Sequence, residues 1–213
     1  MDNIILDYYA ELEADIFDKG ISKSYDLMLK DLVKKEKVLA KEERAFKKHC
    51  KQQNLERGSE EWVLHYEFFG DLIELQVQTD DIRHRLSSIG EMRIIYLYKT
   101  VEGSIRGMLK TSQNIEKYNW NKEGEIDQLK SIGIDTKSLD GYSNINTLRL
   151  VNNTIKHSED LPDALNSKFN NYFPNTHSYQ DFEDFTSFYN NIFPACPVFL
   201  QSLKNELLSK FGS

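Results

Sequence analysis

Cysteine is scarce in this chain of 213 residues: Cys50 and Cys196 are the whole supply, and no CxxC pair occurs. Two thiols so far apart do not make a disulfide framework, and no paired-cysteine spacing for zinc is present. A reducing cytoplasm is the expected setting. Proline is equally sparing. Its four copies, Pro162, Pro174, Pro194 and Pro197, all fall late. Proline removes a backbone donor and clashes with the preceding turn of a helix. Its absence from the first 161 residues therefore leaves that stretch open to long helices. No apolar run approaches the roughly 20 residues that span a bilayer. The opening segment MDNIILDYYAELEADIF carries acids where a secretion signal needs a basic flank. No membrane partner is expected. Positive charge is also in deficit: 27 Lys and Arg stand against 34 Asp and Glu, a net charge of −7. Wholesale coating of nucleic acid is disfavoured, although a small basic pocket remains open. There is no glycine-rich phosphate loop and no nucleophile in a strand–turn–helix context.

What is present reads as helix. Hydrophobic residues make up 39% and charged residues 29%, the balance of a soluble globular domain. Ile5, Tyr8, Tyr9, Leu12 and Ile16 follow helical spacing, with Gly20 closing that element. From about Ser22 to Gln53 a narrow stripe of Leu29, Leu32, Val33, Leu39 and Phe46 runs through "KKEKVLAKEERAFKKHCK". Such a charge run predicts a solvated helix face supported by i, i+4 pairs. Ser59 with Glu60 and Glu61 resembles an N-cap. From Trp62 to about Gln113 the pattern is nearly continuous helix, with a break expected at Gly90. Its second half, MRIIYLYKTVEGSIRGML, predicts the central core helix, where Gly103 and Gly107 point to close approach of another helix. A short helix to about Ile132 follows, then a helix capped by Ser143 or Asn144. The segment SEDLPDALNSKFNNYFPNTHS reads as mostly irregular, and YQDFEDFTSFYNNIF and PVFLQSLKNELLSKF as two closing helices. No strand pattern and no internal repeat are found. The fold class is all-α: a helical bundle with a long N-terminal helical hairpin. Residues 1–58 form the N-terminal helices and charged arm, and residues 59–213 the bundle, as one continuous unit.

One stretch asks for more than a structural account. In RLVNNTIKHS (149–158) and the residue before it, Leu148, Val151 and Ile155 fall on one helical stripe. Arg149, Asn153 and Lys156 fall on another, with Asn152 and His157 at its borders. Asparagine is a poor helix former, so two in succession need a reason. One reading is a solvated face with Lys156 and His157 complementing the helix dipole. The other is a ligand site, since amides and cations hold phosphate and an imidazole exchanges protons near neutral pH. Metal-free RNA cleavage needs a base for the 2′-hydroxyl, cations on the crowded phosphate and an acid for the leaving oxygen.

A hydrophobic helix with an internal Glu (IIYLYKTVEGSIRGML), a spacer and then LRLVNNTIKHS together resemble the HEPN superfamily over roughly residues 90–205. That family is all-α, and its hallmark is Arg-x(4–6)-His with a polar residue after the arginine. The resemblance implies a metal-independent endoribonuclease acting as a dimer in a bacterial toxin–antitoxin or phage-defence system. It also admits a non-catalytic module that binds a protein partner or RNA. Asn153 matches the polar position and His157 the histidine. Asn152 stands at the arginine position, where an amide supplies no fixed charge, and Arg149 lies one turn earlier on the same helix. The implied catalytic residues are His157, Arg149 and Asn152, and the substrate-binding residues Asn153 and Lys156. No metal or cofactor is implied. The implied partners are a second copy of the chain, RNA, and an antitoxin or defence protein.

Other constellations have blander readings. Asp81 with His84, and Glu61 with His65, have helical spacing for metal ligands, but the second Glu-x-x-His pair of a di-metal bundle is missing and the acids are scattered. Arg83, His84 and Arg85 adjoin Asp80 and Asp81 and read as a salt-bridged face. The late aromatics, among them Phe173, Phe185, Phe188 and Tyr189, are expected in the core or at a dimer surface. The sequon Asn152-Asn153-Thr154 reads as a chance match in a chain expected to stay in the cytoplasm.

Overall fold

The structure is a computed structural model, and it describes residues 6–7, 9, 23–52, 66–113, 125–174 and 182–212. Among the described residues every regular element is helical and no strand occurs. The charged arm is one helix, α1 (Lys23–Gln52), and the apolar stretch that follows is α2 (Tyr66–Gln113). Then come α3 (Glu125–Ser131), a 3-10 turn (Thr136–Ser138), α4 (Tyr142–His157), α5 (Leu161–Phe169), α6 (Phe182–Ile192) and α7 (Ala195–Phe211).

α2 organises the rest, because α1, α3, α4, α6 and α7 all pack on it. Its C-terminal half presents Ile94, Leu97, Val101, Ile105 and Met108 to the main core, where they meet Leu148 and Val151 of α4 and Phe199 and Leu203 of α7. These positions recur at the 3.6-residue period and form the buried face of the helix, while Met92, Tyr96 and Lys99 lie exposed. The N-terminal half of α2 meets α1 instead. There a smaller cluster of Leu29, Ile82 and Leu86 is flanked by Leu32, Val33 and Leu39. The two helices run antiparallel, and Glu36 of α1 accepts from Arg83 Nε of α2 at 3.2 Å. Arg83 also faces Asp80, and Arg85 pairs with Asp81 at 2.9 Å. The expected salt-bridged face is thus present, and Asp81 is engaged by a guanidinium.

Three local expectations are corrected. α2 passes through Gly90 without a break. The glycine serves packing: a Cβ there would lie 2.6 Å from Phe185 Cδ2 of α6. A similar constraint acts at Gly107, where a Cβ would lie 2.3 Å from the Tyr9 ring. Neither Ser143 nor Asn144 caps α4. The helix starts after Gly141, which holds φ 76° and offers its carbonyl to the N–H groups of Asn144 and Ile145. Glycine is required there on two counts, since its φ is left-handed and a Cβ would lie 2.8 Å from the Ala195 carbonyl oxygen. The segment after His157 is less irregular than expected, since α5 occupies Leu161–Phe169 within it; its residues 175–178 lie outside the described ones. Asp160 caps α5 by accepting from the Asp163 N–H, and Pro162 sits in the first turn, where its missing donor costs nothing. The expected cap at Ser59, the Glu61–His65 pair and most of the first helical stretch lie outside the described residues.

The late aromatics serve the chain's own core. Phe173, Phe185 and Phe188 are fully buried, with ring centroids 5.3 and 5.4 Å from Phe173 to the other two. Tyr189 is buried too, between the Phe193 ring at 5.3 Å and the Arg93 guanidinium at 3.9 Å.

Candidate functional site

α4 carries the residues singled out in RLVNNTIKHS. Leu148 and Val151 are fully buried and Ile155 half-buried, so the apolar stripe faces the core as its spacing requires. The helix ends at His157, and Ser158 closes it by donating its N–H to the Thr154 carbonyl at 3.1 Å. Lys156 and His157 therefore lie in the last turn, where exposed C=O groups favour positive charge. Asn153, Lys156 and His157 are all exposed.

The remaining two candidates are placed differently. Asn152 has 0% of its surface exposed. At the border between stripes it turns inward rather than outward. Its Nδ2 donates to Asn153 Oδ1 at 3.3 Å, and its Oδ1 has no hydrogen-bond partner. A side chain so enclosed does not reach a phosphate or the glycosylation machinery. Arg149 is half-buried, and both its Nε and Nη2 donate to Asn146 Oδ1, at 3.4 and 3.1 Å. The neutral amide leaves the guanidinium charge uncompensated but fixes its direction. The structure thus brings Asn153, Lys156 and His157 to one exposed helix end, holds Arg149 against its own helix, and removes Asn152 into the core.

No family model, curated protein or solved structure matches this chain. The site must be read from its own geometry.

The groups whose titration burial shifts lie elsewhere. The Cys196 thiol, enclosed in the main core, is pushed up to about 12. Burial also raises the Glu91 carboxyl above its usual range, and the hydrogen bond donated by Ser87 opposes that shift. Among the described residues no cluster of three or more His, Cys, Asp or Glu side chains has the arrangement to hold a metal ion. No helix there is long and apolar enough to cross a membrane.

Sequence reasoning missed a groove on the surface. This groove of about 680 Å³ lies between α1 and the start of α6, lined by Lys30, Lys34, Lys37 and Lys41 together with Leu29, Val33 and Val38. Its far wall is Arg93, Phe182 and Thr186. The charge run of α1 reads as a solvated face, and only the partner elements reveal that part of it borders a cleft. The available signal was Lys at i, i+4, i+7 and i+11 along α1, together with Arg93 in the apolar second half of α2.

Proposed function

We propose that the chain is a non-catalytic, HEPN-like helical module that binds a protein partner. One observation carries this reading: the residue at the family's arginine position, Asn152, is enclosed in the core. Stabilising the crowded phosphate of RNA cleavage needs a fixed cation beside the scissile group. Asn152 supplies none, and Arg149 is held by Asn146 at a longer spacing from His157. The partner implied by the resemblance is an antitoxin or defence-system protein.

A second reading, a dimeric metal-independent endoribonuclease, draws support from the joint exposure of Asn153, Lys156 and His157. In it His157 is the acid/base, Lys156 and Arg149 stabilise the phosphate, and the second copy of α4 completes the site. The two readings part on a cleavage assay. Purified protein and the His157→Ala variant are incubated with single-stranded and hairpin RNA, with and without chelator. The module reading expects the two to be indistinguishable. Chelator-resistant cleavage lost in His157→Ala would establish the ribonuclease instead, and sedimentation at micromolar concentration would show whether the dimer it requires forms.

A further inference from the structure

α1 carries a one-sided row of cations. At about 100° per residue, Lys30, Lys34, Lys37 and Lys41 fall within an arc of about 60°. Arg44 and Lys48 continue the same row. From Lys30 onward no acid shares it. Asp31, Glu36 and Glu43 lie on other faces of α1, where they pair with Lys35, Arg83 and Lys47. Among the described residues the four groove lysines have no carboxylate partner, and no acid lines the groove. A helix with this many Glu and Lys ordinarily intersperses them so that i, i+4 pairs form. Four like charges on one stripe repel one another, and an anion laid along them relieves that repulsion.

Beside the row of cations the groove is lined by aliphatic side chains. Leu29 and Val33 seat it on the smaller core cluster, and Val38 on its open side keeps half of its surface exposed. The opposite wall adds Phe182 and the buried Arg93, whose guanidinium lies against Tyr189. It also adds Thr186, whose hydroxyl is enclosed without a hydrogen-bond partner. The occupant must therefore be apolar on one side and anionic along its length.

Length and period select among such ligands. Lys30 to Lys41 covers about 16 Å of helix axis. A fatty acid carries one anionic head, which would use one end of the row and leave the rest unpaired. A polynucleotide is anionic throughout, but it needs aromatic platforms for its bases, and among the described residues Phe182 is the one aromatic lining side chain here. Its backbone would also meet an aliphatic floor and a protein of net charge −7. An amphipathic helix with acids at i, i+4, i+7 and i+11 has the matching period, and an adjoining apolar stripe fits the floor.

We propose that the groove between α1 and α6 is the docking site for an acidic amphipathic helix of a protein partner. This rests on the interaction-module reading and names the chemistry of its partner. The lysines steer and register the incoming helix, as rim charges do. Burial of its apolar stripe on Leu29, Val33, Val38 and Phe182 supplies the affinity.

The test uses the full chain and a labelled synthetic peptide of about 18 residues, long enough to hold a helix on the groove. It carries Glu at i, i+4, i+7 and i+11 and Leu on the adjoining stripe. A second peptide has Gln for each Glu. Fluorescence anisotropy at low salt is expected to show the Glu peptide binding about tenfold or more tighter than the Gln peptide, with the gap closing as salt rises. The double substitution Lys34→Glu, Lys37→Glu removes that preference. Lys35→Glu, on another face, leaves it in place. Val38→Ser weakens both peptides while circular dichroism stays unchanged. Equal binding of the two peptides, or none, overturns the proposal. So does displacement of the Glu peptide by a short poly(U) strand or by phosphatidylglycerol vesicles at lower concentration. If Lys34→Glu, Lys37→Glu instead dissociates a homodimer, the groove belongs to a second copy and the proposal falls. Failure here with RNA left intact leaves the module reading standing, whereas RNA cleavage would remove that reading whatever the peptides do.

Discussion

Asn152 is where residue-scale chemistry and helix periodicity disagree. Its position in α4 allows either an outward or an inward side chain, and the packing of neighbouring helices around α4 turns it inward. A buried carbonyl oxygen without a partner carries the desolvation cost of roughly 1–3 kcal/mol. Asn152→Leu, of similar volume, is therefore expected to stabilise the fold by about 1 kcal/mol or more, read from the urea midpoint at constant slope. Asn152→Arg restores the family's spacing but puts a guanidinium at a fully enclosed position. Its expected cost is several kcal/mol. A folded, equally stable Asn152→Arg protein would show that α4 can rotate this position to solvent. That result would reopen the ribonuclease reading.

At the scale of the element, α2 shows why a glycine inside a helix is ambiguous. Gly90 lowers helix propensity by about 1 kcal/mol relative to alanine, which by itself suggests a break. The helix persists because Phe185 occupies the space a methyl would take, 2.6 Å from the ideal Cβ. Gly90→Ala sets that propensity gain against overpacking of about 1–3 kcal/mol. A net loss is expected, since the obstructing atoms belong to a ring fixed by Phe173. Phe185→Leu should recover part of the loss in a double-mutant cycle. Additive effects would mean that the two residues do not share the strain. α4 offers the complementary case. Its start is decided by Gly141 and the Ala195 carbonyl, a contact between segments far apart in sequence, and no cap residue announces it.

Across the whole molecule, apolar burial is unevenly distributed. α4, α6 and α7 close on the C-terminal half of α2 through the main cluster, while α1 is held on its N-terminal half by the cluster of Leu29, Ile82 and Leu86. Exposed apolar side chains gather in that same region, with Leu27, Met28 and Val38 on α1 and Ile73 and Val77 on α2. Few buried contacts mean a low free energy of local opening. Amide hydrogen exchange is expected to run faster in α1 than in α4 and α7, through an opening that leaves the main core protected. Uniform protection across all three would indicate that α1 unfolds only with the bundle. Addition of the acidic peptide should slow exchange in α1 selectively.

The sequence by itself determined the helical class, the extents of α1 and the end of α4. All three are local matters, resting on proline's absence, on 3.6-residue periodicity and on the stop after His157. It also identified Asn153 and Lys156 as part of a polar helix face, because a residue away from an apolar stripe is exposed whatever packs on the stripe. Border positions and interfaces were settled only by tertiary structure. Periodicity places Asn152 within reach of either side, and neighbouring helices choose between them. The same holds for α5, whose proline reads as loop until Asp160 is seen to cap it. The lysine row of α1 is visible in the sequence, but a row of charges becomes a groove only when α6 and Arg93 supply the opposite wall. Local geometry is encoded within a few residues, whereas burial depends on contacts between segments distant in the chain.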